Sequence, residues 1–390
     1  MSMFPARAVV DLGAVRANAR VLGDLAPSSQ LMAVVKADAY GHGLLPVARA
    51  AVEGGATWLG VAQLSEALAL RAGGISARVL TWLYAPGAPL AEAVAADVDL
   101  SVSAPWALDE VAAAARATGR TARIHVKVDT GLGRNGIPPA DLPAVLDAAL
   151  RLEAEGVVRL VGMWSHLAFA DEPGHPSLRA QGDLLRAAAD DATARGARLE
   201  VRHIAASATT LTDPELHLDL VRPGIALYGL TPVPQLGGPD RFGLVPAMTV
   251  EAELATVKRL PSGHGMSYGH HYVTDRATTV GVVPLGYADG VPRHASGEDG
   301  RPGAPLGIGD RRLAIAGRVC MDQVMVDLGP GATERAGDRL VLFGTGADGG
   351  PTAQDWAEAA GTISYEIVTR LGARVPRVHV DSEQDEREVS

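Results

Sequence analysis

The chain reads as an α/β protein: a (β/α)8 barrel of parallel strands followed by a smaller, mostly antiparallel β-domain. Three observations predict this. From residue 12 to about 230, short apolar runs alternate with Ala-rich amphipathic segments. A stretch dense in breakers then follows, Thr231-Pro-Val-Pro-Gln-Leu-Gly-Gly-Pro239. Beyond it, β-type runs separated by Gly/Pro turns dominate. The domains are therefore set at 1–235 and 236–390.

A helix over 12–25 leads into the first barrel strand, 31–35. Further strands are expected at 58–61, 79–83, 98–102, 124–128, 160–164, 199–204 and 225–228. Helices fill the gaps at 45–53, 64–72, 90–96, 105–118, 142–155 and 178–195, with a short one around Ala208. Eight strands alternating with helices fit a closed barrel. A doubly wound open sheet is the competing arrangement, and periodicity does not separate the two. In the second domain, strands are expected at 248–257, 278–283, 312–315, 324–327 and 339–343, interrupted by one helix over 352–360.

The 390 residues are 47% hydrophobic and 21% charged, ample for large cores. Net charge is −10 without a basic block, which argues against nucleic acid and anionic membrane as partners. Some of the acidity sits in a tail, 381–390, expected to be solvated. Cys320 is the lone cysteine, so no intrachain disulfide forms. Residues 1–6 lack a basic-then-apolar leader pattern, and no apolar stretch is long enough to span a bilayer. A soluble cytoplasmic protein is expected.

Chemistry in a parallel barrel collects at the carboxyl ends of strands. Lys36 ends the first apolar run and faces a turn rich in Gly, Asp and His. Desolvation there lowers the pKa of an amine and makes it nucleophilic. Lysine is scarce (only Lys36, Lys127 and Lys258), so a retained one suggests a need for a deprotonatable amine. The bland reading is a strand-end lysine that snorkels to water. Other strand ends carry Lys127 and Arg134, His166, His203 with Ser207, and Arg222. Gly131-Leu-Gly-Arg-Asn-Gly136 formally matches a dinucleotide fingerprint. It lies mid-chain and runs into Pro138 and Pro139, so its glycines are read as a sharp turn that aims Arg134 inward. Cys320 has no spaced partners for zinc, and His264, His270 and His271 read as a solvated loop; no metal is expected.

Six segments, in order, resemble the alanine racemase family. They are Val34-Val-Lys-Ala-Asp-Ala-Tyr-Gly-His-Gly43, Val221-Arg-Pro-Gly-Ile-Ala-Leu-Tyr-Gly229, Met266-Ser-Tyr-Gly269, Pro284-Leu-Gly-Tyr-Ala-Asp-Gly290, Gly317-Arg-Val-Cys-Met-Asp322 and Thr362-Ile-Ser-Tyr-Glu-Ile367. The resemblance covers roughly residues 9–380. It implies a pyridoxal 5′-phosphate enzyme that interconverts L- and D-alanine with two opposed bases, Lys36 for the D-enantiomer and Tyr268 for the L-enantiomer. Lys36 would also hold the cofactor covalently. Tyr268, read without that context, is a half-buried turn aromatic. A free phenol titrates near ~10, so His166 and Arg222 are the implied relay that makes its phenolate accessible.

The resemblance further sets Arg222 against the pyridine nitrogen. A guanidinium cannot give up its proton near neutrality, so the ring would stay unprotonated, a weaker electron sink that suppresses transamination. Alternatively, Arg222 pairs with a surface carboxylate at a strand entry. His203 would back Arg222 in an outer layer; by itself it reads as a satisfied core histidine. Tyr40, Ser207 and Tyr365 would supply hydroxyls to the phosphate, and Gly224 and Ile225 amides. Ala206 stands where many members carry Asn.

Arg134 is implied at the cofactor's phenolic oxygen and the substrate carboxylate, with the Met321 amide; Tyr287 would narrow the entrance and Asp322 lie in the outer layer. Lys127 matches a position that is carbamylated in the family, the alternative being a plain Lys paired with Asp129 or another acid. A head-to-tail homodimer with shared sites is implied, supplying D-alanine for peptidoglycan. The rival functions are a serine-preferring or broad-specificity racemase, a decarboxylase on the same scaffold, disfavoured by Arg222, and a non-catalytic cofactor carrier, disfavoured by the β-domain.

Overall fold

The computed structural model describes residues 5–297 and 300–382. Most of the acidic tail and the first four residues, on which the leader reading rested, lie outside them. The chain starts with β1 (Ala6–Asp11) and α1 (Leu12–Leu25). Eight parallel strands follow: β2 (Gln30–Val34), β3 (Trp58–Val61), β4 (Arg78–Thr81), β5 (Asp99–Val102), β6 (Ala122–Lys127), β7 (Val158–Trp164), β8 (Val201–His203) and β9 (Leu220–Val221). They form one sheet in the order β8-β7-β6-β5-β4-β3-β2-β9. Its edge strands meet through a parallel bridge between Ala206 and Arg222, where the Arg222 amide donates to Ala205 O at 2.8 Å. The sheet is thus a near-closed barrel, which settles the choice against an open doubly wound sheet.

The intervening segments are α2 (Lys36–Gly41), α3 (Leu44–Glu53), α4 (Leu64–Ala72), α5 (Leu90–Ala95), α6 (Pro105–Thr118), α7 (Leu142–Ala154), α8 (Pro176–Ala194) and α9 (Ser207–Thr212). Local chemistry sets several ends. α6 opens on Pro105, whose missing N–H costs nothing at a first turn, and closes on Gly119 in the left-handed region at φ 65°. The Glu66 carboxylate accepts from the amides of Ala62 and Gln63 at the head of α4, at 3.0 and 2.9 Å. Strands β3 and β5 are buried at every position, as expected where a barrel strand faces both the interior and the helix ring.

Two sequence expectations need correction. The eighth barrel strand is Leu220–Val221, not 225–228; Ile225–Tyr228 forms a 3-10 turn. Pro223 lacks an amide hydrogen to donate and Gly224 bends the chain at φ −107°, ψ −85°, so the strand stops there, its last backbone contact to β2 being the Val34 amide donating to Pro223 O at 3.1 Å. The apolar side chains that suggested a strand are buried in the turn instead. The expected strand at 248–257 is broken into two, β10 (Met248–Glu253) and β11 (Thr256–Leu260).

The second region continues with β12 (Gly265–Met266), β13 (Tyr272–Val273), β14 (Thr278–Val283), β15 (Pro305–Ile308), β16 (Arg311–Ala314), β17 (Val324–Gly329) and β18 (Arg339–Phe343). It ends with α10 (Ala353–Ala360), α11 (Ser364–Thr369) and β19 (Arg377–Val380). The short α11 was not anticipated beside the single expected helix. A six-stranded sheet runs β16-β15-β18-β10-β1-β19, with β11-β14-β17 as a second sheet. Pairing is antiparallel except for β1 with β19. Trp356 of α10 is buried, its indole N–H donating to Leu342 O at 2.5 Å and Pro305 O at 2.9 Å.

The chain packs into two compact units. A barrel unit comprises Val15–Ala39 and Leu44–Leu244, and a β-unit takes residues up to Ala14, Tyr40–Gly43 and those from Val245 onward. The β-unit therefore uses the chain's own first strand, β1, flanked by β10 and β19.

Candidate active site

Five barrel-strand ends bring polar groups to the carboxyl-terminal rim. Lys36 follows Val35 at the end of β2 and opens α2, which is a left-handed turn. Ala37, Asp38, Ala39 and Tyr40 hold φ of 55°, 53°, 52° and 53°, and Gly41 holds 80°. Each non-glycine there costs about 1–2 kcal/mol relative to the right-handed form, so the surroundings must enforce it. Within the barrel unit, Glu66 Oε1 accepts from the Ala37 amide at 2.5 Å, and Asp38 Oδ1 accepts from the Leu44 amide at 2.8 Å. The Lys36 amine is pushed below the usual lysine range by burial and then by the nearby Arg134 charge, with Glu66 opposing.

Lys127 ends β6 and is 4% exposed. Its Nζ sits 4.5 Å from the ring centre of Trp164, and the Arg222 guanidinium lies 5.0 Å from the same ring. Burial, Arg134 and Arg222 bring the Lys127 amine down to about 8, against Asp129. The Asp129 carboxylate is engaged by the Gly131 and Gly133 amides at 3.0 and 3.1 Å, which ties the glycine loop into a turn. Gly136 has no room for a Cβ, which would fall 2.7 Å from the Asp129 amide nitrogen. Arg134 itself is exposed, yet its charge acts on Lys36, Lys127 and His166 alike.

Arg222 is buried and donates in several directions: to Ser165 O at 2.9 Å, to Ile204 O at 3.3 Å and to His203 Nδ1 at 3.1 Å. A long contact of 3.5 Å reaches His166 Nδ1. Burial lowers the guanidinium to about 9, so it stays charged at neutral pH. His166 is lowered to about 3 by burial and by the charges of Arg222, Arg134, Lys127 and Lys36, and His203 is pushed well below the usual histidine range by burial and Arg222. Both rings are neutral. Ser207 Oγ accepts from the Gly224 and Ala226 amides at 2.8 and 3.2 Å, and Ile225 is fully buried beside them in sequence.

The β-unit gathers the remaining candidates by itself. The rings of Tyr40 and Tyr365 lie 6.1 Å apart, and burial raises the Tyr40 hydroxyl above the usual phenol range. Tyr268 is 70% exposed, on a turn in which Ser267, Gly269 and His270 all have positive φ. That turn is tied down by Ser267 Oγ donating to Arg318 O at 2.7 Å. The Tyr287 amide donates to Cys320 O at 3.0 Å and the Ala288 amide to Met321 O at 2.9 Å. A Cβ on Gly286 would fall 2.3 Å from Met321 O, so only glycine permits this approach. The loops of Tyr268, Tyr287 and Met321 are thus interlocked, with all three side chains exposed. Asp322 pairs with Arg374 at 2.8 Å, and Arg374 also pairs with buried Asp289 at 2.8 Å.

Sequence reasoning gave no role to Trp164, Glu66, His125 or Asp99. Trp164 carries two cations and stacks on His203 at 5.5 Å. His125 lies two residues before Lys127 and so shares its strand face. That alternation was the available signal.

Two family models match. One described as "Alanine racemase, N-terminal domain" covers residues 10–232, and one described as "Alanine racemase, C-terminal domain" covers residues 247–379. An alanine racemase from Beutenbergia cavernae is 60% identical, with 97% of this chain and 98% of that protein covered. One from Streptomyces coelicolor is 58% identical, with 97% of each covered. The crystal structure of alanine racemase from D-cycloserine-producing Streptomyces lavendulae superposes with a TM-score of 0.95 at 55% identity, covering 99% of both chains. The chain belongs to the alanine racemase family.

Proposed function

We propose that this racemase uses pyridoxal 5′-phosphate and two opposed bases, Lys36 and Tyr268, to interconvert L- and D-alanine. The observation that carries the reading is Lys36, a half-buried amine held below the usual lysine range at a barrel-strand end. The residues fit the cofactor. A buried guanidinium that can only donate suits an unprotonated pyridine nitrogen. A serine hydroxyl with two amides converging on it suits a phosphate. When bound, the cofactor supplies an electron sink that acidifies the substrate Cα–H.

The chain's own residues do the rest. Lys36 would hold the cofactor, and its amine would take or return the substrate Cα proton on one face; the Tyr268 hydroxyl would do so on the other. Arg222 would donate to the ring nitrogen, which would limit the sink the cofactor supplies and with it transamination. Neutral His166 with Arg222 supports the Tyr268 phenolate. Ser207, Tyr40, Tyr365 and the amides of Gly224 and Ile225 bind the phosphate, and Arg134 with the Met321 amide binds the substrate carboxylate. Tyr287 narrows the entrance, Lys127 as a carbamate orients Arg134, and His203 and Asp322 brace the surrounding layer. An amine with its pKa near 8 is neutral in roughly one molecule in ten at pH 7, the form that carbamylation needs.

We place the enzyme in the cytoplasm as a head-to-tail homodimer with shared sites, supplying D-alanine for peptidoglycan. Among the described residues no helix is long and apolar enough to cross a membrane. Deuterium wash-in at the alanine Cα with loss of optical rotation tests the chemistry. Exchange without racemisation, or cofactor absorbance without exchange, rejects it. A panel of amino acids resolved by chiral chromatography decides between alanine and serine preference.

A further inference from the structure

We propose that Asp99 is a positioning residue for Arg222, acting through a one-way line of hydrogen bonds, Arg222–His203–His125–Asp99, across the barrel interior. The inference rests on the proposed role of Arg222 toward the cofactor's ring nitrogen. The line runs from the carboxyl end of β9 to the first residue of β5. Arg222 NH1 lies 3.1 Å from His203 Nδ1, His203 Nε2 lies 3.0 Å from His125 Nδ1, and His125 Nε2 lies 3.2 Å from Asp99 Oδ2. Asp99, His125 and His203 have no exposed surface.

The donor inventory fixes every proton on this line. A guanidinium has no lone pair to offer, so His203 Nδ1 must accept. The single hydrogen of neutral His203 then sits on Nε2 and donates to His125 Nδ1. His125 in turn carries its hydrogen on Nε2 and donates to Asp99. With both rings neutral, no other arrangement satisfies all three contacts. A proton added to either ring would set N–H against N–H at one junction.

The far end is anchored by charge. Asp99 Oδ2 accepts from Arg78 at 2.5 Å and Oδ1 from Arg123 Nε at 2.6 Å. Arg78 also pairs with Glu200, which pairs in turn with Arg159, and Arg123 pairs with Asp97, so the carboxylate is held ionised within a cluster of three cations and three anions. The anion makes His203 Nδ1 a stronger acceptor, and a chain of hydrogen bonds polarises in one sense. The His125 ring is confined as well: a Cβ on Gly162 of the neighbouring strand would fall 2.2 Å from its Nδ1. The guanidinium is thereby kept charged and fixed in direction within the buried barrel interior.

Histidine-selective ¹⁵N NMR of the wild-type holoenzyme reads the tautomers directly. Both His203 and His125 are expected to carry hydrogen on Nε2 and a bare Nδ1 at neutral pH. An Nδ1–H or imidazolium signal for either ring overturns the proposal. Asp99→Asn keeps an oxygen acceptor and removes the charge. It is expected to move the His125 Nε2–H resonance and the visible maximum of the bound cofactor. Its kcat is expected to fall roughly ten- to hundredfold, the scale for losing an outer-shell partner, with KM changed less than about twofold. A folded Asp99→Asn protein with unaltered cofactor absorbance and kcat also overturns it; should that variant not fold, the wild-type spectrum decides. Arg222→Gln separates the two readings. If it alters the cofactor spectrum while Asp99→Asn does not, the relay fails and the role of Arg222 stands. If Arg222→Gln changes nothing, the role of Arg222 itself fails.

Discussion

Two residues of opposite exposure carry the proposed chemistry. Lys36 is half-buried at a strand end, and Tyr268 stands 70% exposed on a strained turn. Lys36→Ala is expected to abolish the visible absorbance of the protein-bound cofactor together with activity; absorbance that persists contradicts the assignment. Tyr268→Phe is expected to keep that absorbance and lose most turnover of L-alanine, followed by chiral chromatography in both directions. Unchanged L-to-D rates in this variant count decisively against two bases. Both residues were legible because motif order named them. Trp164 was not, since nothing in Met163-Trp-Ser-His166 announces that one indole faces Lys127, Arg222 and His203 together.

Elements succeed or fail here by what their neighbours permit. The β6–β7 pairing shifts register between Ile124 and His125, and beside that shift Gly162 of β7 leaves the space that the His125 ring fills. Gly162→Ala is expected to displace the His125 ring and to destabilise the protein by about 1–3 kcal/mol, the cost of overpacking. Chemical or thermal unfolding with an unaltered midpoint would show that the space is not needed. The left-handed α2 makes the complementary point. No propensity favours four consecutive non-glycine residues at positive φ; the Glu66 and Asp38 carboxylates hold the segment through backbone amides. Its Gly, Asp and His content signalled a turn, but handedness depends on an acceptor almost thirty residues away.

The barrel interior stores two histidines in neutral form. His125 and His203 are fully buried, and burial holds both below the usual histidine pKa. In the unfolded chain each titrates near ~6.5. Below that pH the unfolded state binds protons the native state refuses, so stability falls as pH falls and rises as pH rises toward neutrality. Each such histidine removes about 1.4 kcal/mol per pH unit below ~6. Equilibrium denaturation at pH 7 and pH 5 checks this, and equal stability at both contradicts it. Assembly is the second prediction at this scale. If each site is shared between protomers, dilution or interface substitution should abolish turnover as the dimer dissociates. A fully active monomer in sedimentation-matched assays refutes the shared site.

The βα alternation, the breakers after Leu230, the late antiparallel texture and the ordered motifs are local facts, and the sequence alone determined the two architectures and the family from them. Tertiary structure decided what depends on distant partners. It ended the barrel on a two-residue strand because Pro223 and Gly224 stop the ladder, and it returned Ala6–Asp11 to the β-unit between β10 and β19. It also aligned Asp99, His125, His203 and Arg222, drawn from four different strands or strand ends. Periodicity tells a residue which way it faces; only closure of the sheet tells it what it meets.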